Sequence, residues 1–142
     1  MKIVRQLLDA KGHEVVTISP TASVLDAIKL MAQKGIGALL VMDGTTLTGI
    51  VTERDYARKV ILKERSSSET AVTDIMTSDM QTAGIDDTVE YCMNLMTENR
   101  IRHIPILEGE KLIGIISIGD LVKAVIADQQ EAIEHLANYI SG

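Results

Sequence analysis

The chain contains one pattern twice. Set without a gap, residues 17–61 lie on residues 82–126, so that Val24 falls on Val89, Leu30 and Met31 on Leu95 and Met96, Ile36 on Ile101, Gly44 on Gly109, Leu47 on Leu112, Gly49 and Ile50 on Gly114 and Ile115, and Asp55 on Asp120. Self-similarity of this kind means one supersecondary unit used twice, and a unit too small to bury its own apolar face must bury it against its twin. The fold therefore follows from what one copy can form.

Each copy opens with a short extended piece (VVTIS, MQTAG) and runs into a helix with apolar residues at helical spacing: Val24, Ala27, Ile28 and Met31, then Val89, Cys92, Met93 and Met96. Ser23 followed by Asp26 is a capping-box start. Two apolar runs follow, ALLVM and LTGIVT in one copy, HIPIL and LIGIIS in the other, separated by the turn residues Asp43-Gly44 and Glu108-Gly109. The helical stretches DYARKVIL and DLVKAVIA close the copies. The predicted class is α/β (α+β): a tandem pair of β-α-β-β-α units packed face to face about a pseudo-two-fold axis, with a C-terminal helix.

Residues 1–62 form the first copy with a lead helix, VRQLLD, and residues 72–127 the second copy, with VTDIMT as its matching lead helix. Residues 63–71 are polar and Ser-rich, which predicts a linker. Residues 128–142 form the C-terminal helix, with Ile133, Leu136, Ala137 and Ile140 along one side. Surplus apolar helix surface predicts a homodimer in which Ile28, Met31, Met93 and Met96 meet their symmetry mates beside that helix.

The net charge of −6 argues against nucleic acid, which needs a basic surface to release counterions, and with no Phe or Trp there is no stacking platform for bases. Lys2 and Arg5 interrupt the first apolar stretch and no later run spans a bilayer, so the expected location is the cytoplasm, away from any membrane. The single cysteine, Cys92, sits on the buried stripe of a helix and reads as a small hydrophobe. No metal-ligand spacing links it to His13, His103 or His135. Residues 109–114 have the spacing of a Walker loop, but Ile115 and Ile116 follow where Lys and Ser/Thr are required.

The pair that carries chemistry is Thr52-Glu53-Arg54-Asp55 against Ser117-Ile118-Gly119-Asp120, each where a strand gives way to a helix. Unpaired N–H groups at a helix start and a neighbouring hydroxyl can hold a phosphate, and a carboxylate one turn on can accept both hydroxyls of a ribose. The same Thr/Ser-x-x-Asp pattern also caps a helix with no ligand at all. Arg54, Arg58 and Lys59 cluster on one helix of an acidic chain, either as phosphate partners, Arg54 foremost for its forked geometry, or as a solvated face paired with Glu53 and Glu64.

VTDIMT, the early Thr82, RIRHIPIL, the Gly-hydrophobic-hydrophobic-Ser/Thr-x-x-Asp ending and the doubling itself resemble the CBS domain family, named for the cystathionine-β-synthase regulatory domain. The resemblance covers essentially the whole chain, which looks like a stand-alone bacterial CBS pair, or Bateman module. It implies that Asp55 and Asp120 bind ribose and that Thr52 and Ser117 bind phosphate. It also implies that the base is flanked by Thr17 with Gly37, Ala38 and Leu39 in one cleft, and by Thr82 with Arg102, His103, Ile104 and Pro105 in the other. Gly119, inside the second motif, joins that set, and Arg54 and Arg58 are expected near the ligand. Copy one departs from the pattern, having Gly37-Ala38-Leu39-Leu40 where copy two has Arg-His-Ile-Pro, and so offers fewer side-chain donors.

The expected function is regulatory, an energy-sensing module that binds AMP or NAD(H), with ATP and ADP next and S-adenosylmethionine behind them, and acts on an unidentified protein partner. No metal and no catalysis are expected. The alternatives are a purely structural dimerisation module whose Asp residues are only caps, and a small nucleotide-hydrolysing enzyme. No general base or metal cluster accompanies the motifs to support the last.

Overall fold

The structure, a computed structural model, describes residues 2–141; residues 1 and 142, where the outermost predicted segments begin and end, lie outside it. The chain divides into two compact units, one formed by Glu14–Met80, the other by the residues up to His13 together with those from Gln81 onward. The lead helix α1 (Val4–Lys11) thus precedes copy one in sequence but packs with copy two.

The first-copy unit is a three-stranded sheet in the order β1-β2-β3. β1 (Thr17–Ile18) runs parallel to β2 (Ala38–Asp43), which pairs antiparallel with β3 (Thr46–Thr52) from Ala38↔Thr52 to Asp43↔Thr46. Helix α2 (Val24–Lys34) starts where the Ser23 hydroxyl accepts from the Asp26 N–H at 3.0 Å. It ends at Gly35, whose φ of 66° is left-handed and suits glycine. Its Val24, Ala27 and Met31 face join Leu39, Val41, Val51, Val60, Val72 and Ile75 in one core. After β3 come a short helix α3 (Glu53–Tyr56), a π-helical turn (Ala57–Ile61) and, later, a 3-10 turn (Val72–Asp74).

The predicted linker is built into this unit. The carbonyls of Thr70 and Ser67 accept the N–H groups of Val24 and Leu25 at 2.8 and 2.9 Å, and Thr70 is buried. Helix starts leave orphan donors, and this polar segment satisfies those of α2.

The second-copy unit repeats the plan. Thr88 Oγ1 accepts from the Tyr91 N–H at 3.0 Å to start α4 (Val89–Asn99), which ends at Arg100 with φ 53° where copy one has Gly35. β4 (His103–Glu108) pairs antiparallel with β5 (Lys111–Ser117). The predicted opening strand is reduced to a parallel bridge, Ala83↔Ile106. The core joins Val4, Leu7 and Leu8 of α1 to Val89, Cys92, Met96, Ile104, Ile106, Ile116, Leu121 and Ala124.

Three expectations are corrected. DLVKAVIA and the C-terminal helix are one element, α5 (Ile118–Ser141), because nothing in ADQQEA breaks a helix. VTDIMT forms only a 3-10 turn, unlike its counterpart α1. Met31 and Met96, expected at a dimer contact, are 2% exposed in the cores of their own units, and Ile28 and Met93 pack against those cores.

Candidate functional site

Both Ser/Thr-x-x-Asp motifs sit at a strand-to-helix junction, as their spacing predicts. In the first-copy unit Thr52 is extended (φ −125°, ψ 164°) and caps α3. Its hydroxyl accepts from the Asp55 N–H at 3.2 Å, while Asp55 Oδ2 accepts from the Thr52 N–H at 3.0 Å and from its hydroxyl at 3.1 Å. The Glu53 N–H donates to the Gly37 carbonyl at 3.1 Å, and Ala38 pairs with Thr52, which puts Gly37 and Ala38 against the motif. Thr17 pairs with Leu40 at the far side of β2 and is exposed. Leu39 is fully buried and Ala38 nearly so, so that β2 can offer a ligand main chain rather than side chains.

Asp55 carries one more partner. Lys59 Nζ stands 3.1 Å from Asp55 Oδ1 and donates to the Ile75 carbonyl at 2.8 Å. Of the predicted basic cluster, Lys59 is thus engaged by Asp55, not by Glu53 or Glu64; Arg54 and Arg58 occupy exposed positions.

The second-copy unit reproduces the box. Asp120 Oδ2 accepts from the Ser117 N–H at 2.8 Å, and the Ser117 hydroxyl accepts from the Asp120 N–H at 3.2 Å. The Ile118 N–H donates to the Arg102 carbonyl at 2.8 Å and His103 pairs with Ser117, so Arg102 and His103 adjoin the motif. Thr82, half-buried, precedes Ala83, whose N–H donates to the Pro105 carbonyl at 3.2 Å. Ile104 and Pro105 are buried. At Gly119 an added Cβ would meet only Ser117 Oγ, at 3.6 Å, so packing within the chain does not require a glycine there.

The ammonium beside Asp120 comes from elsewhere. Lys11, the last residue of α1, donates to Asp120 Oδ2 at 2.6 Å and to the Ile115 carbonyl at 2.8 Å. Sequence reasoning missed it. Ala124 occupies the position in copy two that Lys59 has in copy one, and no pattern in the sequence points to a cation reaching Asp120 from outside the repeat.

These groups shift one another. Burial alone would raise the Asp120 carboxyl, but hydrogen bonds from Lys11 and Ser117 outweigh it and hold the group below the ordinary carboxylate range. Burial, reinforced by the positive charges of Lys11 and Arg102 and opposed by Asp120, pushes His103 below the usual histidine value. His103 is therefore a neutral hydrogen-bonding group near pH 7, not a fixed cation. Burial pushes the Cys92 thiol up to about 11, in keeping with a packed hydrophobe. Among the described residues no group of three His, Cys, Asp or Glu side chains is placed to hold a metal ion, and no helix is long and apolar enough to cross a membrane.

The family model for the CBS domain matches twice, over residues 6–62 and 72–127. A mitochondrial CBS domain-containing protein of Arabidopsis thaliana, CBSX3, is 46% identical over 125 residues, covering 84% of this chain and 61% of that protein. YhcV of Bacillus subtilis is 31% identical over 113 residues, 80% of each chain. Among solved structures, a CBS-domain protein from Burkholderia ambifaria superposes with a TM-score of 0.87 at 57% identity, covering 90% of this chain and 96% of that one. The CBS pair of the protein MJ0100, in complex with 5-methylthioadenosine and S-adenosyl-L-methionine, shares the fold at 22% identity, with a TM-score of 0.80 over 90% of this chain and 98% of that one. With two repeats, each ending in the same capped Ser/Thr-x-x-Asp junction and each matched by the family model, this chain belongs to the CBS domain family.

Proposed function

We propose that the chain is a regulatory module that binds an adenine nucleotide through its Ser/Thr-x-x-Asp motifs and acts on a protein partner without catalysing a reaction. The observation that carries this reading is the pair of buried-edge carboxylates, with 13% (Asp55) and 19% (Asp120) side-chain exposure, each set beside a hydroxyl at a strand-to-helix junction. An ionised carboxylate at such an edge suits a vicinal diol, and the hydroxyl with a nearby cation suits a phosphate. In this reading Asp120 and Asp55 take ribose and Ser117 and Thr52 take phosphate. Arg54 and Arg58 serve the phosphates of one motif, while Thr82, Arg102, His103 and Gly119 surround the other. The adenosine ligands of the MJ0100 pair support the ligand class. AMP and NAD(H) are favoured, then ATP and ADP, with S-adenosylmethionine behind them. The working form is a cytoplasmic homodimer.

A second reading has its own support. Both capping boxes are complete without a ligand, as a purely structural dimerisation module would have them. Thermal unfolding separates the two, because a ligand that binds only the folded chain adds its binding energy to folding stability. At about a hundred times the dissociation constant the gain is roughly 2.7 kcal/mol per site, or about 5 to 10 °C for a chain of this size. Scans with AMP, ADP, ATP, NAD, NADH and GMP are expected to shift for the adenosine ligands and much less for GMP. Flat curves for all of them, on protein free of bound nucleotide, establish the structural reading.

A further inference from the structure

The two motifs match in sequence but differ in which carboxylate oxygens are already taken. Asp55 has both occupied: Oδ2 by the Thr52 N–H and hydroxyl, Oδ1 by Lys59 at 3.1 Å. Asp120 takes its two donors, the Ser117 N–H and Lys11, on Oδ2 alone, so that among the described residues Oδ1 has no partner. A ribose diol needs at least one open carboxylate oxygen, whose two lone pairs can take both O–H donors, and an oxygen already holding an ammonium is a poor acceptor.

The cations also differ. Lys59 rides on the π-helical turn Ala57–Ile61, four residues on from Asp55, and reaches both Asp55 and the Ile75 carbonyl. It bridges two elements and is held at both ends. Lys11 spends two of its three N–H donors on Asp120 and the Ile115 carbonyl, and among the described residues the third has no acceptor. One motif therefore presents an open carboxylate oxygen and an open ammonium donor side by side, with Arg102 and His103 adjoining; the other presents a closed ion pair beside Gly37 and Ala38.

We propose that Lys59 is an internal plug on the first motif, so that the chain holds one nucleotide, at Ser117–Asp120, with Lys11 of the N-terminal helix as a further binding residue of that site. The proposal rests on the nucleotide reading above and narrows it to the second motif, with Thr52, Arg54 and Asp55 taking no nucleotide while Lys59 is in place. Copy one keeps the sequence of a ligand motif and uses it to tie the π turn to the segment at Ile75.

Calorimetry with AMP, and with NAD in parallel, on the full chain tests it. The expected stoichiometry is one nucleotide per chain, lost in Asp120→Asn and weakened at least about tenfold in Lys11→Met, which removes a charge-assisted donor. Lys59→Met keeps the aliphatic stem and frees Asp55 Oδ1, and is expected to add a second equivalent. Lys59→Gln, which retains a donor, serves if the Met variant does not fold. Two equivalents bound by the unaltered chain, or one retained in Asp120→Asn, overturn the plug while leaving the nucleotide reading standing. A single equivalent that survives Lys11→Met at full affinity removes Lys11 from the site. No heat with either nucleotide on any variant, confirmed by unchanged melting, overturns the nucleotide reading and the plug with it.

Discussion

His103, paired with Ser117, and Asp120, bonded to the Ser117 N–H, are displaced in the same direction, and the sign of each displacement fixes how acid acts on the second-copy unit. Folding lowers the affinity of both for a proton, so the unfolded chain binds protons more readily and stability falls as pH drops. The His103 contribution is complete above about 6.5, the ordinary histidine value, and is lost as pH falls through that value toward the lower folded one. The Asp120 contribution is complete above about 4 and is lost below it. Melting temperature measured against pH is expected to decline in two stages. His103→Gln, which cannot titrate, should remove the upper stage and keep the lower. A wild-type curve flat from pH 7 to 5.5 would show that His103 protonates as freely in the fold as outside it.

At the scale of elements, the matched glycines Gly49 and Gly114 show what the repeat is for. A Cβ on Gly49 would lie 2.7 Å from Met76 Sδ and 3.0 Å from the Thr77 carbonyl, and one on Gly114 would lie 2.7 Å from Leu8 Cδ2. Both glycines admit a lead segment onto a strand, and the lead segments are exchanged: the one before copy two packs on copy one, and α1, before copy one, packs on copy two. Gly49→Ala is expected to cost about 1–3 kcal/mol, since the backbone at Thr77 must move. Gly114→Ala displaces a side chain rather than backbone, but Leu8 is fully buried, so a cost in the same range of about 1–3 kcal/mol is expected. Leu8→Ala, at a fully buried site, should cost about 2–5 kcal/mol and lower amide-exchange protection in β4 and β5 first. Equal loss across β2 and β3 would contradict the assignment of α1 to the second-copy unit. The doubling, the hairpins and both capping boxes were legible in the sequence because their signals are local: period, turn residues, and hydroxyl-to-carboxylate spacing. The exchange of lead segments, the merging of α5, the π turn and Lys11 were not, because each depends on which distant surface a segment finds.

At the scale of the whole molecule, α5 carries an apolar face that neither core covers. The residues expected to meet a second copy, Met31 and Met96, are core; Ile61, Leu62 and Tyr91 are exposed singly or in a pair, and the longest run of exposed apolar side chains lies along the last helix: Ile126 at 51%, Ile133 at 64%, Leu136 at 60%, Tyr139 at 86% and Ile140 at 76%. Ile126, Ile133 and Ile140 recur every seventh residue, with Leu136 between the last two, which is the spacing of a seam that faces another helix along its length. The flanking positions Gln130, Ala132, Ala137 and Tyr139 carry no charge, so nothing there repels an identical chain even though the whole protein has a net charge of −6. The homodimer reading is therefore moved from the repeat helices to α5. Light scattering at tens of micromolar, above ordinary transient-dimer affinities of about micromolar, is expected to give the dimer mass for the unaltered chain. Ile133→Asp with Leu136→Asp should give the monomer mass, because burying two carboxylates in the seam costs several kcal/mol. The substituted side chains lie on exposed helix surface outside both cores, so the monomer should keep its melting transition and its nucleotide stoichiometry. A wild-type monomer at that concentration rejects the dimer, and a dimer that survives the double substitution places its interface away from α5.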